Sequence, residues 1–176
     1  MFFERELEHT VMLHPKFFGP SLEETVRAKC QQEVEGKCSG RYGWVVCVHE
    51  FNADSIGDGR VIEGNAGYAA FNVTYRAIVF RPFKGEVLDA TVKTVNKMGF
   101  FCEAGPLQMF VSTHLIPDYM SFQIGATGEP SYSDEDGEFR IRPGSECRVK
   151  IVGTRIDSNE IFAVATIKDD YLGLIA

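Results

Sequence analysis

From position 83 to 106, FKGEVLDATVKTVNKMGFFCEAGP sets apolar residues at alternate positions on both sides of a tight glycine turn. That is the pattern of two strands, each turning one face to a core. Strand-like segments follow at LQMFVS (107–112), ECRVKIVGTRID (146–157) and EIFAVATIK, the last two flanking Ser158-Asn159. Five strands, a Gly-rich junction and one longer polar insertion predict a five-stranded Greek-key β-barrel of the OB type.

The first half mixes its periods. A short strand, TVML (10–13), precedes the loop HPKFFGP, and Ser21 with Glu24 three residues on makes a capping-box pattern for a helix running to Gly36. Leu22, Val26, Cys30 and Val34 form only a thin apolar stripe, which suits a helix lying over a sheet. A glycine-punctuated strand, GKCSGRYGWVVCVHEF, a polar loop over 52–67 and a strand, YAAFNVTYRAIVF, complete a small α+β unit. In that last strand Phe71, Val73, Tyr75 and Ala77 alternate with Asn72, Thr74 and Arg76. Proline cannot donate to a strand ladder, so the boundary is expected at Arg81-Pro82, giving domains 1–81 and 82–176 of an α+β protein.

Composition excludes several classes of function. With 44% hydrophobic and 24% charged residues the chain reads as globular, and no apolar run approaches the ~20 residues of a membrane helix. MFFERELEHTV interleaves acid and base, unlike a secretory signal. Cys30, Cys38, Cys47, Cys102 and Cys147 are scattered without CxxC spacing, so reduced thiols are expected rather than disulfides or zinc. His9, His14, His49 and His114 lack metal spacing, and no phosphate-binding glycine motif occurs. Glu63-Gly64-Asn65 and Asp134-Glu135-Asp136 read as solvated loop carboxylates, not as a catalytic pair across a cleft. No catalytic residue, metal or cofactor is therefore expected. The net charge of −7 opposes tight stand-alone binding to nucleic acid. Between Gly125 and Glu138 the carboxylates Glu129, Asp134, Glu135, Asp136 and Glu138 stand without a base, so this tract is expected to be a solvated loop, with an ordering contact to a partner protein as the alternative.

VKTVNKMGFFCEAGP (92–106) resembles the S1 variety of OB fold. More widely, HPKFFGP, EVEGKCSGRYG, YRAIVFRPFKGEV, MGFFCEAGP and IKDDYLGLI, in that order and over the whole chain, resemble one family of RNA polymerase subunits. It includes the seventh subunit of eukaryotic RNA polymerase II, its archaeal counterpart and the corresponding subunits of polymerases I and III. The resemblance implies an N-terminal ribonucleoprotein-like tip domain followed by a C-terminal S1/OB-fold barrel. It further implies a non-catalytic nuclear subunit that pairs with the fourth subunit and docks by its tip at the clamp base beside the RNA exit path. There it would bind single-stranded nascent RNA, brace the clamp and support initiation.

Matched to the usual S1 pattern, Met98 stands where the first stacking aromatic falls, Phe101 at the second, and Ser112 where a histidine is common; Met109 replaces a glycine, and Ile161 falls near the usual base. The expected RNA-binding set is Phe101 with Lys84, Lys93, Lys97, Arg148, Lys150 and Arg155, a shallow positive strip. Arg148 and Lys150 share a strand face opposite Cys147, Val149 and Ile151. At the tip, His14, Phe17, Phe18, Gly19 and Pro20 are expected to dock, since adjacent aromatics in a loop suit a partner pocket. Gly36, Gly40 and Gly43 join them, either as a close-approach surface or as plain loop and cap glycines. The apolar tail at Tyr171, Leu172, Leu174 and Ile175 needs the body or a partner to order it. Two alternatives stand: the equivalent subunit of another nuclear polymerase (III or a plant-specific paralogue), and a free S1-domain RNA-binding or translation factor. HPKFFGP and DYLGLI favour polymerase II over the first, and monomeric binding to RNA would mark the second.

Overall fold

The structure, a computed structural model, describes residues 1–64, 66–125, 128–134, 137 and 139–175. The chain falls into two compact units, Met1–Arg81 and Pro82–Ala176. In the first, strands β1 (Phe2–Leu13), β2 (Cys38–Ser39), β3 (Gly43–Ile56), β4 (Arg60–Val61) and β5 (Ala69–Phe80) accompany one helix, α1 (Leu22–Val34). The sheet runs β1-β5-β3-β2, all antiparallel, with β4 on β5. Phe71, Val73, Tyr75, Ala77 and Val79 of β5 are buried in one core with Val26, Cys30 and Val34 of α1. The thin stripe on the helix does what its spacing predicts.

Three local expectations are corrected. β1 is three times longer than TVML, because its glutamates sit at alternate positions along an edge where they can point to water while Leu7 and Val11 are buried. Ser21 makes no side-chain capping bond, and its φ of −98° and ψ of 23° turn it away from the capping geometry; the backbone carbonyl alone serves, accepting from Thr25 N–H at 3.0 Å. The loop over 52–67 also carries the end of β3 and the short β4.

The second unit contains β6 (Val87–Asn96), β7 (Gly99–Ala104), β8 (Leu107–Ser112), β9 (Ser121–Ile124), β10 (Pro130–Ser133), β11 (Arg140–Ile141), β12 (Glu146–Ile156), β13 (Ile161–Thr166) and β14 (Gly173–Leu174). β6, β7, β8, β13 and β12 close into a five-stranded barrel, with β8 and β13 parallel. β12 serves two neighbours, β6 over Glu146–Lys150 and β13 over Lys150–Ile156, and its register against β13 shifts between Ile151 and Gly153. A bulge bends a strand in this way at a barrel corner. Phe100, Met109, Val111, Val149 and Ile151 fill the interior.

The polar insertion is not simply a solvated loop. β9, β10 and β11 form a small antiparallel sheet, pinned by Tyr132, which is buried and donates its hydroxyl to the Asn96 carbonyl at 2.8 Å. Glu129 and Asp134 are exposed and half-buried; Glu135, Asp136, Glu138 and Asn65 lie outside the described residues. The tail packs on the body: β14 pairs with Cys147 and Arg148, while Tyr171 is 94% exposed.

None of the five cysteines is in a disulfide. Burial pushes the Cys102 and Cys147 thiols up to about 12 and, helped by Glu33, the Cys30 thiol up to about 11. The unfolded chain starts to lose these protons near 9.0, whereas the folded chain keeps them. Stability is therefore untouched below about 9 and falls as pH rises from there towards 11 to 12. At pH 8, iodoacetamide should label the half-buried Cys38 and Cys47 and spare the other three, as read by mass spectrometry of the intact chain.

Candidate nucleic-acid interface

Alternation along three barrel strands builds one aromatic surface. In β7, Phe100 and Cys102 point inward, which sends Phe101 out; in β8, Met109 and Val111 send Phe110 out; in β13, Ile161 and Ala163 send Phe162 and Val164 out. The register then brings them together. Phe101 lies opposite Phe110, Phe110 beside Val164, and Phe162 between Gln108 and Arg155. The Phe101 and Phe110 rings are 4.7 Å apart between centroids, tilted by 41°. Phe101 is 45% exposed and Phe162 41%, and with Phe110 they form one contiguous aromatic patch on the barrel surface. Together with Gln108, Thr154 and Arg155 they line a hollow of about 410 Å³.

Such a surface can stack unpaired bases, because a base offers a π-face whatever its identity. Arg155 supplies a cation at its rim, with no ion-pair partner among the described residues. Phe101 was legible in the sequence. Phe110 and Phe162 were missed, although the alternation in LQMFVS and IFAVAT signals both. Ile161, the position matched to the usual S1 base, is buried; its neighbour Phe162 holds the outward place.

Three bases of the positive strip expected along the barrel have carboxylate partners. Arg148 grips Asp89 through two bonds of 2.7 and 3.0 Å, Lys150 meets Asp169 at 2.8 Å and Lys93 meets Glu103 at 3.3 Å. The guanidinium beside Asp89 holds that carboxyl below its usual range. Arg148 and Lys150 do share an outward face, as spacing predicts, but their charge is already balanced. They also stand apart from the aromatic surface: Arg148 is seven residues from Arg155, about 23 Å of strand. Lys84 and Lys97 are exposed, Lys97 in the turn beside Met98, itself 73% exposed.

The tip loop is rigidly tied. His14 Nδ1 accepts from Lys16 N–H at 3.1 Å and its ring meets Tyr68 edge-on at 5.0 Å. A short 3₁₀ turn, Pro15–Phe17, then holds Phe17 and Phe18 outward, 44% and 43% exposed, with the Lys16 ammonium 4.7 Å from the Phe17 ring centre. Gly19 and Pro20 are exposed beside them. Tyr68, whose ring meets His14, carried no sequence signal of that contact. Gly36, at φ +74°, ends α1 and stays exposed. Gly40 and Gly43 are buried, which corrects their reading as surface; Gly43 sits at φ +93° where a Cβ would come within 2.2 Å of the Phe80 carbonyl oxygen. No group of three or more His, Cys, Asp or Glu among the described residues is placed to hold a metal. No helix among them is long and apolar enough to cross a membrane.

Two family models match. Residues 8–66 fit the SHS2 domain found in the N terminus of Rpb7p/Rpc25p/MJ0397, and residues 81–163 fit the S1 RNA binding domain. The chain is 53% identical over 174 residues to DNA-directed RNA polymerase II subunit rpb7 of Schizosaccharomyces pombe, covering 99% of both chains. The chain belongs to the RNA polymerase II subunit 7 family. It is likewise 53% identical to DNA-directed RNA polymerase II subunit 7 of Arabidopsis thaliana, covering 99% of this chain and 97% of that one. Against DNA-directed RNA polymerase V subunit 7 of the same plant, identity falls to 30%, over 78% of this chain and 75% of that one. That drop separates the subunit 7 family of polymerase II from a plant-specific paralogue. The α+β architecture expected from sequence, a tip domain followed by an S1/OB barrel, is the one these matches describe, the tip being of the SHS2 type.

Proposed function

We propose that the chain is a non-catalytic stalk subunit of RNA polymerase II, working in the nucleus as a heterodimer with the fourth subunit. Its tip docks near the clamp base through His14, Phe17, Phe18, Gly19 and Pro20, and its barrel holds emerging single-stranded RNA on Phe101, Phe110, Phe162 and Arg155, with Lys84 and Lys97 drawing the backbone in. The observation that carries this reading is the aromatic surface, on an S1 barrel, in a chain that matches polymerase II subunits from end to end.

The electrostatics favour weak binding made effective by position. Lys93, Arg148 and Lys150 are paired, so few phosphates can be neutralised, and a net charge of −7 repels bulk nucleic acid. Docking beside the exit path offsets this by raising the local RNA concentration, to the millimolar range for a short tether.

A tagged chain purified from nuclear extract at moderate salt should bring down the largest polymerase II subunits. Phe17→Ala/Phe18→Ala should lose them while keeping one small partner, since each aromatic in a fully formed pocket contributes about 2 kcal/mol or more. Recovery of ribosomes or scattered RNA-binding proteins, unchanged by the substitutions, would contradict the proposal and point to a free S1 factor.

A further inference from the structure

β1 is the outer strand of its sheet, bonded along its whole length to β5 on one side. In an antiparallel pair, residues that turn N–H and C=O to the partner alternate with residues that turn them away. Two bonds fix the phase here. Arg81 N–H donates to the Met1 carbonyl at 2.8 Å, so odd-numbered residues face β5. From the other side, the Lys29 ammonium on α1 donates to the outward Met12 carbonyl. Phe2, Glu4, Glu6, Glu8 and Thr10 therefore direct their backbone groups outward, and none of these has a backbone partner among the described residues.

An open edge of this length is a template for another strand, and the row Glu4, Glu6 and Glu8 blunts it against any strand that is not basic. The side chains say which strand fits. Glu4, Glu6 and Glu8 are exposed on the sheet face away from α1. Glu4 lies 3.2 Å from His49; Glu6 and Glu8 have no ion-pair partner among the described residues, and Arg76, opposite Glu6, is held by Glu50 at 3.2 Å. Two copies of β1 pairing with each other would set glutamate rows together, which is unfavourable. On the other face, a groove of about 600 Å³ opens at Leu7 and His9 of β1 and crosses the sheet past Tyr75 to Val45 and Cys38, with Val34 of α1 in its lining.

We infer that β1 is a docking edge for an extended segment of another protein, basic at alternate positions to meet Glu4, Glu6 and Glu8 and apolar between them to enter the groove. Main-chain bonds supply the affinity of such strand addition and the alternating side chains its specificity. The inference stands on backbone geometry and charge, independently of the polymerase assignment.

The test uses the full chain and a hexapeptide of alternating lysine and valine, with a glutamate–valine hexapeptide as control. Calorimetry should detect the lysine peptide and not the control, and hydrogen exchange at the Glu4, Glu6 and Glu8 amides should slow at least tenfold on binding. Glu6→Pro removes an outward N–H that β5 does not use, and should weaken binding at least tenfold. Glu6→Lys/Glu8→Lys should reverse the preference between the peptides. If the proline variant fails to fold, the charge-reversed variant decides alone. Absence of binding at millimolar peptide, equal binding of both peptides, or binding without slowed exchange at these amides would overturn the inference.

Discussion

Gly99→Ala is expected to melt the barrel about 8 to 48 °C lower than the unmodified chain, by circular dichroism or calorimetry. Gly99 opens β7 at φ +143°, directly opposite Ser112 of β8. A Cβ there would stand 2.0 Å from the Val111 carbonyl oxygen and 3.0 Å from the Ser112 Cα. Both are backbone atoms of the neighbouring strand, so no side chain can swing aside. Strain in such a conformation costs about 1 to 3 kcal/mol, and forcing the strands apart adds about 1 to 3 kcal/mol. Phe100, fully buried one residue on, would be pulled from its seat with them. Gly105 is the control: its φ is +59° but a Cβ there meets nothing within 4 Å, so alanine should cost about 1 kcal/mol. An equal effect at the two glycines would show that close strand approach at Gly99 is unimportant.

The second large effect concerns RNA. Phe101→Ala, Phe110→Ala and Phe162→Ala should each weaken binding of a labelled oligouridine by about 5- to 150-fold in fluorescence anisotropy, the equivalent of about 1 to 3 kcal/mol per stacked base. Their rings lie outside the barrel core, so the melting transition should move little. Arg155→Ala should act differently, lowering the slope of log affinity against log salt by about one phosphate contact. Lys150→Ala should change affinity little, because Asp169 already balances that ammonium. Unchanged affinity in all three phenylalanine variants would show that RNA does not stack on this surface.

Much of this molecule can be read from the order of its residues. Alternation around Gly99 and in LQMFVS marks barrel strands because one face of each is buried, and the Arg81-Pro82 step coincides with the division into compact units. The short stripe of Val26, Cys30 and Val34 places α1 on a sheet. What escaped reading depends on pairing across long separations. Glu103 meets Lys93 and Asp169 meets Lys150 only once β6, β7 and β12 are in register and the chain has returned near its end. A count of bases could not reveal that these charges are balanced. The same holds for Phe162: its neighbours Gln108 and Arg155 come from two other strands, one paired in parallel and the other antiparallel. Gly43 has the positive φ and close backbone approach that glycine permits, but glycine spacing does not report that the approach is to the buried Phe80 carbonyl and not to a partner.

The proposed division of labour gives RNA to the barrel's aromatic surface and polymerase II to the tip, and one experiment addresses both. The photo-crosslinking residue p-benzoylphenylalanine is placed at Phe162 in assembled polymerase II, stalled with a radiolabelled transcript of increasing length. Crosslinks to RNA should appear once the transcript is long enough to emerge, and should vanish on Phe17→Ala/Phe18→Ala. Crosslinks to protein alone at every transcript length would contradict this division, and would make the aromatic surface a protein interface.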